Sequence, residues 1–418
     1  MSYRPKSPLL ECLIARGFLH QCTDISSLDE AIQKEPVVAY IGFDATADSL
    51  HVGHLSQIML LRWLQHFGHK SIVLLGGGTT KIGDPSGKDS ARKMLSQDDI
   101  AQNIAGISSI FTRFLRFGDG DSDAIVVNNA DWLDNLGYID FLREVGSHFS
   151  INRMLTFESV KSRLDREQPL SFLEFNYMIL QAYDFIELQK RYGCSLQLGG
   201  SDQWGNIVSG IDLGRRILQA PLYGWTAPLL TTSSGAKMGK TAQGAVWLSE
   251  EKLSVYDFWQ FWRNVEDADV AKFLRLFTDL PLHEIDALVS EGGQAINHAK
   301  VRLATEITTL CHGAEKALQC EKTALDTFSG TGMGSDLPTL DFTQEGIAAN
   351  IALTSAIVDL NFAQSNSQAR RLIEGGGVRI NDEKIDATDR LLTLKDFAKD
   401  GVAKLSVGKK RIAKLVLS

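Results

Sequence analysis

The chain is poor in cysteine. Cys12, Cys22, Cys194, Cys311 and Cys320 are an odd set with no C-x-x-C spacing. They read as reduced thiols in a cytoplasmic protein, not as a disulfide framework or a zinc site. No run of about 18 apolar residues is available to span a bilayer, so no membrane partner is expected. The short apolar run near the start is bracketed by Glu11 and Arg16. Its members Leu9, Leu10, Leu13, Ile14 and Phe18 fit one helix face, not a signal peptide. A G-x-x-x-x-G-K-[ST] string is missing, which excludes a P-loop. No carboxylate cluster offers a protein-made metal site. Internal repeats and low-complexity tracts are also absent. Finally, a general positive charge is lacking: the formal net charge is −8, which argues against an overall nucleic-acid-binding coat.

What is present suits a globular protein. At 418 residues, 44% hydrophobic and 22% charged, the chain can build two or three domains with cores. Charge is distributed unevenly. From Asn361 to Ser418 there are 12 Lys and Arg against 7 Asp and Glu, a balance of +5, whereas the remainder carries 31 against 44. A basic tail on an acidic body suggests a local polyanion contact. Ser329 to Pro338, S-G-T-G-M-G-S-D-L-P, is the clearest linker. Beyond it, Arg370 and Arg371 fall on a short helix and Lys409, Lys410 and Arg411 in a turn, where they could converge on a phosphate backbone.

The most informative stretch is Tyr40 to Leu55, Y-I-G-F-D-A-T-A-D-S-L-H-V-G-H-L. A β-branched run precedes it and the apolar segment Leu55 to Phe67 follows, so a strand hands over to a helix there. Such a handover leaves backbone N–H groups unpaired and favours an anion. Thr46, His51 and His54 lie in the turn, and Gly53, with no Cβ, lets a flat ring approach. Ser71 to Leu75 predicts a second buried strand, ending in G-G-G-T-T and then I-G-D-P-S-G-K. Two glycine-rich strand ends separated by a helix suggest a parallel sheet with a site at its carboxyl edge. Lys88 and Arg92 follow in a polar segment suited to a loop that closes over phosphates. Ala124 to Asn129 is a third strand candidate and Leu196 to Leu198 a fourth, the latter followed by Gly199, Gly200, Ser201, Asp202 and Gln203. On the helix expected from Gln168 to Arg191, Tyr177, Gln181 and Asp184 share one face. They suit the floor of a polar pocket, although spacing alone ranks a solvated face equally.

His51-Val52-Gly53-His54 resembles the HIGH signature of the class I aminoacyl-tRNA synthetases, and Lys237-Met238-Gly239-Lys240-Thr241 resembles their KMSKS loop. The strings Y-I-G-F-D, G-D-P-S-G-K, Y-M-I-L-Q-A-Y-D and G-G-S-D-Q-W-G-N are similar to those of the bacterial tyrosyl branch, in the family's order and over nearly all of the chain.

The resemblance implies an α/β fold of three parts: a Rossmann-like parallel-sheet domain over 1–248, a helical anticodon-side domain over 249–328, and, after a linker at 329–349, a small α/β RNA-binding domain over 350–418. It implies a homodimer that activates tyrosine with ATP, magnesium arriving with the nucleotide, and transfers it to tRNA. Thr46 and His51 would meet the γ-phosphate, while Lys88, Arg92, Lys237 and Lys240 would close on pyrophosphate. His54, Asp44, Gly53, Gly200 and Asp202 would hold the nucleoside, the last two at its ribose. Tyr40 and Asp184 would face the phenolic hydroxyl, Asp84, Tyr177 and Gln181 the α-amino group, and Gln203 the carboxylate. Arg370, Arg371, Lys409, Lys410 and Arg411 would meet tRNA. Three departures stand out: Ile41 where many relatives have Cys, Ala45 for a usual Pro, which predicts a looser turn, and Met-Gly for Met-Ser in the lysine loop. Two rivals remain: a tryptophan ligase or other HIGH-bearing nucleotidyltransferase, and an RNA-binding protein that kept the fold without catalysis.

Overall fold

The computed structural model describes residues 3–86, 94–233, 235, 238–241, 244–290, 293, 295–329, 337–348, 350–398, 401–408 and 411–417. Contacts divide the chain into two compact units, Met1–Ser254 with Gln260–His312, and Val255–Trp259 with Gly313–Ser418.

The first unit is built on six strands: β1 Gln21–Cys22, β2 Val38–Phe43, β3 Lys70–Leu75, β4 Ile125–Asn128, β5 Leu196–Gly200 and β6 Tyr223–Ala227. They lie in the order β1-β6-β5-β2-β3-β4. All pairs are parallel except β1 with β6. The central strands V-A-Y-I-G-F and K-S-I-V-L-L are almost wholly buried, as parallel strands covered on both faces must be. Four helices matter to the site: α1 Leu55–His66, α2 Gln97–Phe111, α3 Phe172–Tyr192 and α4 Trp204–Ile217. The hydroxyl of Ser171 caps α3 in a reciprocal pair with Glu174, and Gly193 ends the helix at φ 66°. Tyr40, Ile72 and Leu74 of the sheet pack with Phe185 of α3 and with Ile207 and Ile211 of α4.

From β2 the chain builds β3 and β4 on one side, then returns to place β5 on the other. The order therefore reverses between β2 and β5. At that point the connections diverge and leave a crevice beyond the carboxyl ends of the strands. Asp44 and Thr46 leave β2 into this crevice, and Asp202 and Gln203 leave β5 into it.

The second unit has its own sheet, from β9 Thr339–Phe342, β10 Val378–Ile380, β11 Glu383–Lys384, β12 Val402–Val407 and β13 Arg411–Leu417; the first unit contributes the short hairpin β7 Lys240–Thr241 and β8 Gly244–Ala245. The order is β11-β10-β12-β13-β9. Leu353 and Ile357 of one helix and Ala369 and Ile373 of the next bury against Val378, Leu405 and Leu415.

Two sequence boundaries need correction. The expected linker 329–349 contains β9, which pairs in parallel with the last strand, Leu340 opposite Leu415. T-L-D-F is too short to show strand periodicity, and its partner lies 75 residues away, so the pairing is invisible locally. The helical segment 249–328 does not form a unit of its own either: Gln260–His312 groups with the first unit and Gly313 onward with the second.

Candidate active site

The turn from β2 to α1 is a reciprocal cap made of imidazoles. His51 Nδ1 accepts from the Gly53 N–H at 3.0 Å, and His54 Nδ1 accepts from the His51 N–H at 3.3 Å. Because both Nδ1 atoms accept, the proton of each neutral ring sits on Nε2. The pair thus carries two outward-capable donors at a helix start. Burial, with His51 adding to it, pushes the His54 imidazole down to about 3, so it stays neutral at physiological pH. Gly53 is required by close approach: a Cβ there would lie 2.7 Å from His51 Cε1.

The turn before this cap is tightly braced. Ala45 has the N–H that a proline would lack, and it donates to Thr80 Oγ1 at 2.8 Å. Asn103 of α2 donates to the Ala45 carbonyl, and Lys252 pairs with Asp48 at 2.6 Å. The looser turn expected from Ala45 is therefore not found, since Thr80 takes up the extra donor. From the other side, Val52 N–H donates to the Val246 carbonyl and Leu248 N–H to that of Leu50. This stitches the histidine turn to the chain after the lysine loop. Gly239 lies against it at φ 96°, where a Cβ would approach Gly53 N to 3.0 Å. That contact accounts for glycine where serine is usual.

A cavity of about 310 Å³ runs from this turn into the crevice. Tyr40, Asp44, Gly53, Thr46, His51, His54, Asp84, Tyr177, Gln181, Asp184, Gly200, Asp202 and Gln203 all border it. The helix-face reading of Tyr177, Gln181 and Asp184 thus gives a pocket wall, not a solvated face. Lys88, Arg92 and Lys237 lie outside the described residues, as does the side chain of Lys240, whose backbone is in β7.

At the deep end, Asp184 is 2% exposed. Its carboxylate accepts from Trp132 Nε1 at 2.8 Å and from Asn129 Nδ2 at 3.0 Å. The hydroxyl of Tyr40 is buried beside it with no hydrogen-bond partner. Burial pushes Asp184 up to about 7, the Asp44 and Glu187 charges adding to it and the two donors opposing it. At the other end of the wall, Gln203 Nε2 donates to Asp84 at 2.8 Å, and Asn206 Nδ2 donates to both Gln181 and Gln203.

Asp44 sits at this end too. It accepts from Tyr177 at 3.0 Å and from Thr79 at 2.8 Å. Thr79, Asn129, Trp132 and Asn206 were not singled out from the sequence as site residues. Asn129 closes a strand candidate, the one signal that could have found it.

The Asp184 shift has a stability consequence. In the unfolded chain this carboxyl titrates near 3.8, in the folded chain near 7. Between those values the folded state holds the extra proton, so the stabilisation is complete below about pH 4 and is lost as pH rises towards 7, by up to about 1.4 kcal/mol per pH unit. Ligand-free urea unfolding at pH 5 to 8 should show the wild type losing ground relative to Asp184→Ala across that window. A gap independent of pH would mean the carboxyl titrates normally.

In the second unit, Arg370 and Arg371 are exposed on the helix Asn366–Glu374. Arg411 is different: it lies in β13 and its guanidinium donates to the Phe362 carbonyl, so its sequence assignment as a turn residue is corrected to a partly buried strand position. Lys409 and Lys410 lie outside the described residues.

Comparison with known proteins agrees across both units. The family described as tRNA synthetases class I (W and Y) matches residues 33–329, and a tyrosine–tRNA ligase SYY-like C-terminal domain matches 331–414. The chain is 60% identical to the tyrosine–tRNA ligase of Rhodospirillum rubrum, over 98% of each chain, and 56% identical to that of Roseobacter denitrificans over the full length of both. A C-terminally truncated Aspergillus nidulans mitochondrial tyrosyl-tRNA synthetase has a similar structure, with TM-score 0.69 and 31% identity over 77% of this chain and 94% of that one.

Proposed function

The chain belongs to the tyrosine–tRNA ligases of the class I aminoacyl-tRNA synthetase family, and we propose that its cavity binds tyrosine with the phenol at Asp184 and the reacting carboxylate towards the histidine turn. The reaction activates L-tyrosine with ATP and passes it to tRNA(Tyr). The observation that carries the assignment is the pairing of a buried carboxylate with an unpartnered buried hydroxyl, Asp184 and Tyr40, at the closed end of the cavity. A substrate phenol donates to the first and accepts from the second. Phenylalanine satisfies neither, and an indole N–H satisfies only Asp184, so both leave a buried polar group unmade.

The adenylation step needs positioning and charge neutralisation more than covalent chemistry. Asp84, Tyr177 and Gln181 hold the ammonium group, with Gln203 directed to the carboxylate that attacks the α-phosphate. His51 and Thr46 donate to the γ-phosphate. The Nε2 donor of His51 follows from the cap, which commits its Nδ1. His54, with Gly53, Gly200 and Asp202, lines the nucleoside. Lys88, Arg92, Lys237 and Lys240 supply the cations for departing pyrophosphate. Magnesium comes with ATP; among the described residues no group of three His, Cys, Asp or Glu could hold a metal. Amino-acid-dependent ATP–pyrophosphate exchange, compared for tyrosine, tryptophan and phenylalanine, tests the assignment. Exchange with tryptophan at a rate equal to tyrosine would overturn it.

A homodimer fits the surface of the first unit. Residues 138–173 hold Tyr138, Ile139, Ile151, Leu155, Leu164, Phe172 and Leu173, all exposed, with Phe172 at 70%. So many large apolar side chains in one segment suit a protein–protein contact. Phe172→Asp should shift the sedimentation coefficient from dimer towards monomer at micromolar concentration, and an unchanged value would place the interface elsewhere. The second unit, with Arg370 and Arg371 exposed, meets the tRNA backbone. The five cysteines are thiols, which suits a reducing cytoplasm. No helix among the described residues is long and apolar enough to cross a membrane.

A further inference from the structure

One hydrogen-bonded array joins the two ends of the amino-acid wall. Tyr177 and Thr79 both donate to Asp44, at 3.0 and 2.8 Å. Asn129 Nδ2 then donates to Thr79 Oγ1 at 2.9 Å and to Asp184 at 3.0 Å. The orientation of the Asn129 amide is fixed, because its Oδ1 accepts from the Gly78 N–H at 2.8 Å. Thr79 has one hydroxyl proton. Spending it on Asp44 leaves only lone pairs for Asn129, so every bond in the array has a single direction. Thr79 and Asn129 are 2% and 1% exposed, so most of their hydrogen bonding is to the protein. The backbone makes room for the array: a Cβ on Gly76 would lie 2.3 Å from Asp44 Oδ1 and 2.6 Å from Thr79 Oγ1.

We propose that Thr79 is a positioning residue for substrate selection: its hydroxyl couples the carboxylate at the ammonium end, Asp44, to the carboxylate at the phenol end, Asp184, through Asn129. The inference rests on the orientation of tyrosine proposed above. With the hydroxyl in place, Asn129 is held at Asp184 while Asp44 holds Tyr177, and a substrate that engages one end finds the other already aligned. Without it, Asn129 loses an acceptor, Asp44 loses a donor, and each end moves independently. Hydrogen-bonded chains at low local dielectric polarise one another, so the ends should respond together.

The test is pyrophosphate exchange on the full chain, with active sites titrated so that only folded enzyme is compared. Thr79→Val keeps the shape and removes the hydroxyl. It should raise the tyrosine KM about tenfold, lower the tyrosine-to-phenylalanine ratio of kcat/KM by a similar factor, and leave kcat and the ATP KM within about twofold. Thr79→Ser keeps the hydroxyl and should restore tyrosine KM and selectivity. Should Thr79→Val fold poorly, Thr79→Ala carries the same comparison.

A double-mutant cycle reads the coupling itself. Tyr177→Phe and Asn129→Ala should depart from multiplicative behaviour by at least about twofold with Thr79 present, and should become multiplicative once combined with Thr79→Val. A wild-type tyrosine KM in Thr79→Val, or a Thr79→Ser variant as impaired as Thr79→Val, overturns the proposal. Asp184→Ala run alongside separates the two levels. If it activates tyrosine normally, the orientation of tyrosine is wrong and this inference falls with it. If it is disabled while Thr79→Val behaves as wild type, only the coupling is wrong.

Discussion

Asp184→Ala is expected to lower kcat/KM for tyrosine activation by about two to three orders of magnitude, with the ATP KM almost unchanged. The carboxylate is the only charged acceptor at the closed end of the cavity among the described residues that border it. Removing it costs the bond to the substrate phenol and also leaves Trp132 Nε1 and Asn129 Nδ2, both buried donors, without that acceptor. The effect on phenylalanine should be far smaller, because phenylalanine never made the bond. Selectivity should therefore collapse along with activity, and that pattern differs from general damage, which lowers both substrates alike. Exchange kinetics with both amino acids measure it. A variant with normal tyrosine kinetics would place the phenol elsewhere in the cavity.

A chain ending near Ser335 should make tyrosyl-adenylate at close to the full-length rate and charge tRNA roughly a hundredfold less well at limiting tRNA. All side chains assigned to adenylate chemistry lie before Ala242, and the cavity is bordered entirely by residues of the first unit. The basic balance lies beyond Asn361. In the full-length protein, tRNA affinity should fall steeply with salt. Neutralising Arg370 or Arg371, both exposed, should each reduce the slope by about one phosphate contact. Arg411→Ala should alter the slope less, because its guanidinium is engaged with the Phe362 carbonyl. Pyrophosphate exchange and tRNA charging on the same purified truncation decide the matter. Retained charging would show that the tail is not the tRNA anchor, and lost exchange in a folded truncation would show that it supports the catalytic unit.

Local physics determined a good deal of this protein. The strands β2, β3 and β5 were legible because buried parallel strands are short apolar runs, and their glycine-rich ends marked the carboxyl edge of the sheet. Tyr177, Gln181 and Asp184 could be put on one face because 3.6 residues make a turn. Gly53 beside two histidines was legible only as room for a flat ring; that the His51 cap itself leaves no room for a Cβ there came from the fold.

Tertiary structure alone decided the rest, because the deciding partners are far apart in sequence. Thr79 matters through Asp44 and Asn129, 35 and 50 residues away, and no periodicity encodes such a meeting. β9 is a strand only because β13 is beside it. The protonated nitrogen of each histidine was set by which backbone N–H its Nδ1 accepts, a matter of geometry within the cap. The elevated pKa of Asp184 was set by burial, which the sequence does not display: on the helix Asp184 is simply a polar residue, and it becomes a poised carboxylate only when the sheet, Asn129 and Trp132 close around it and exclude water.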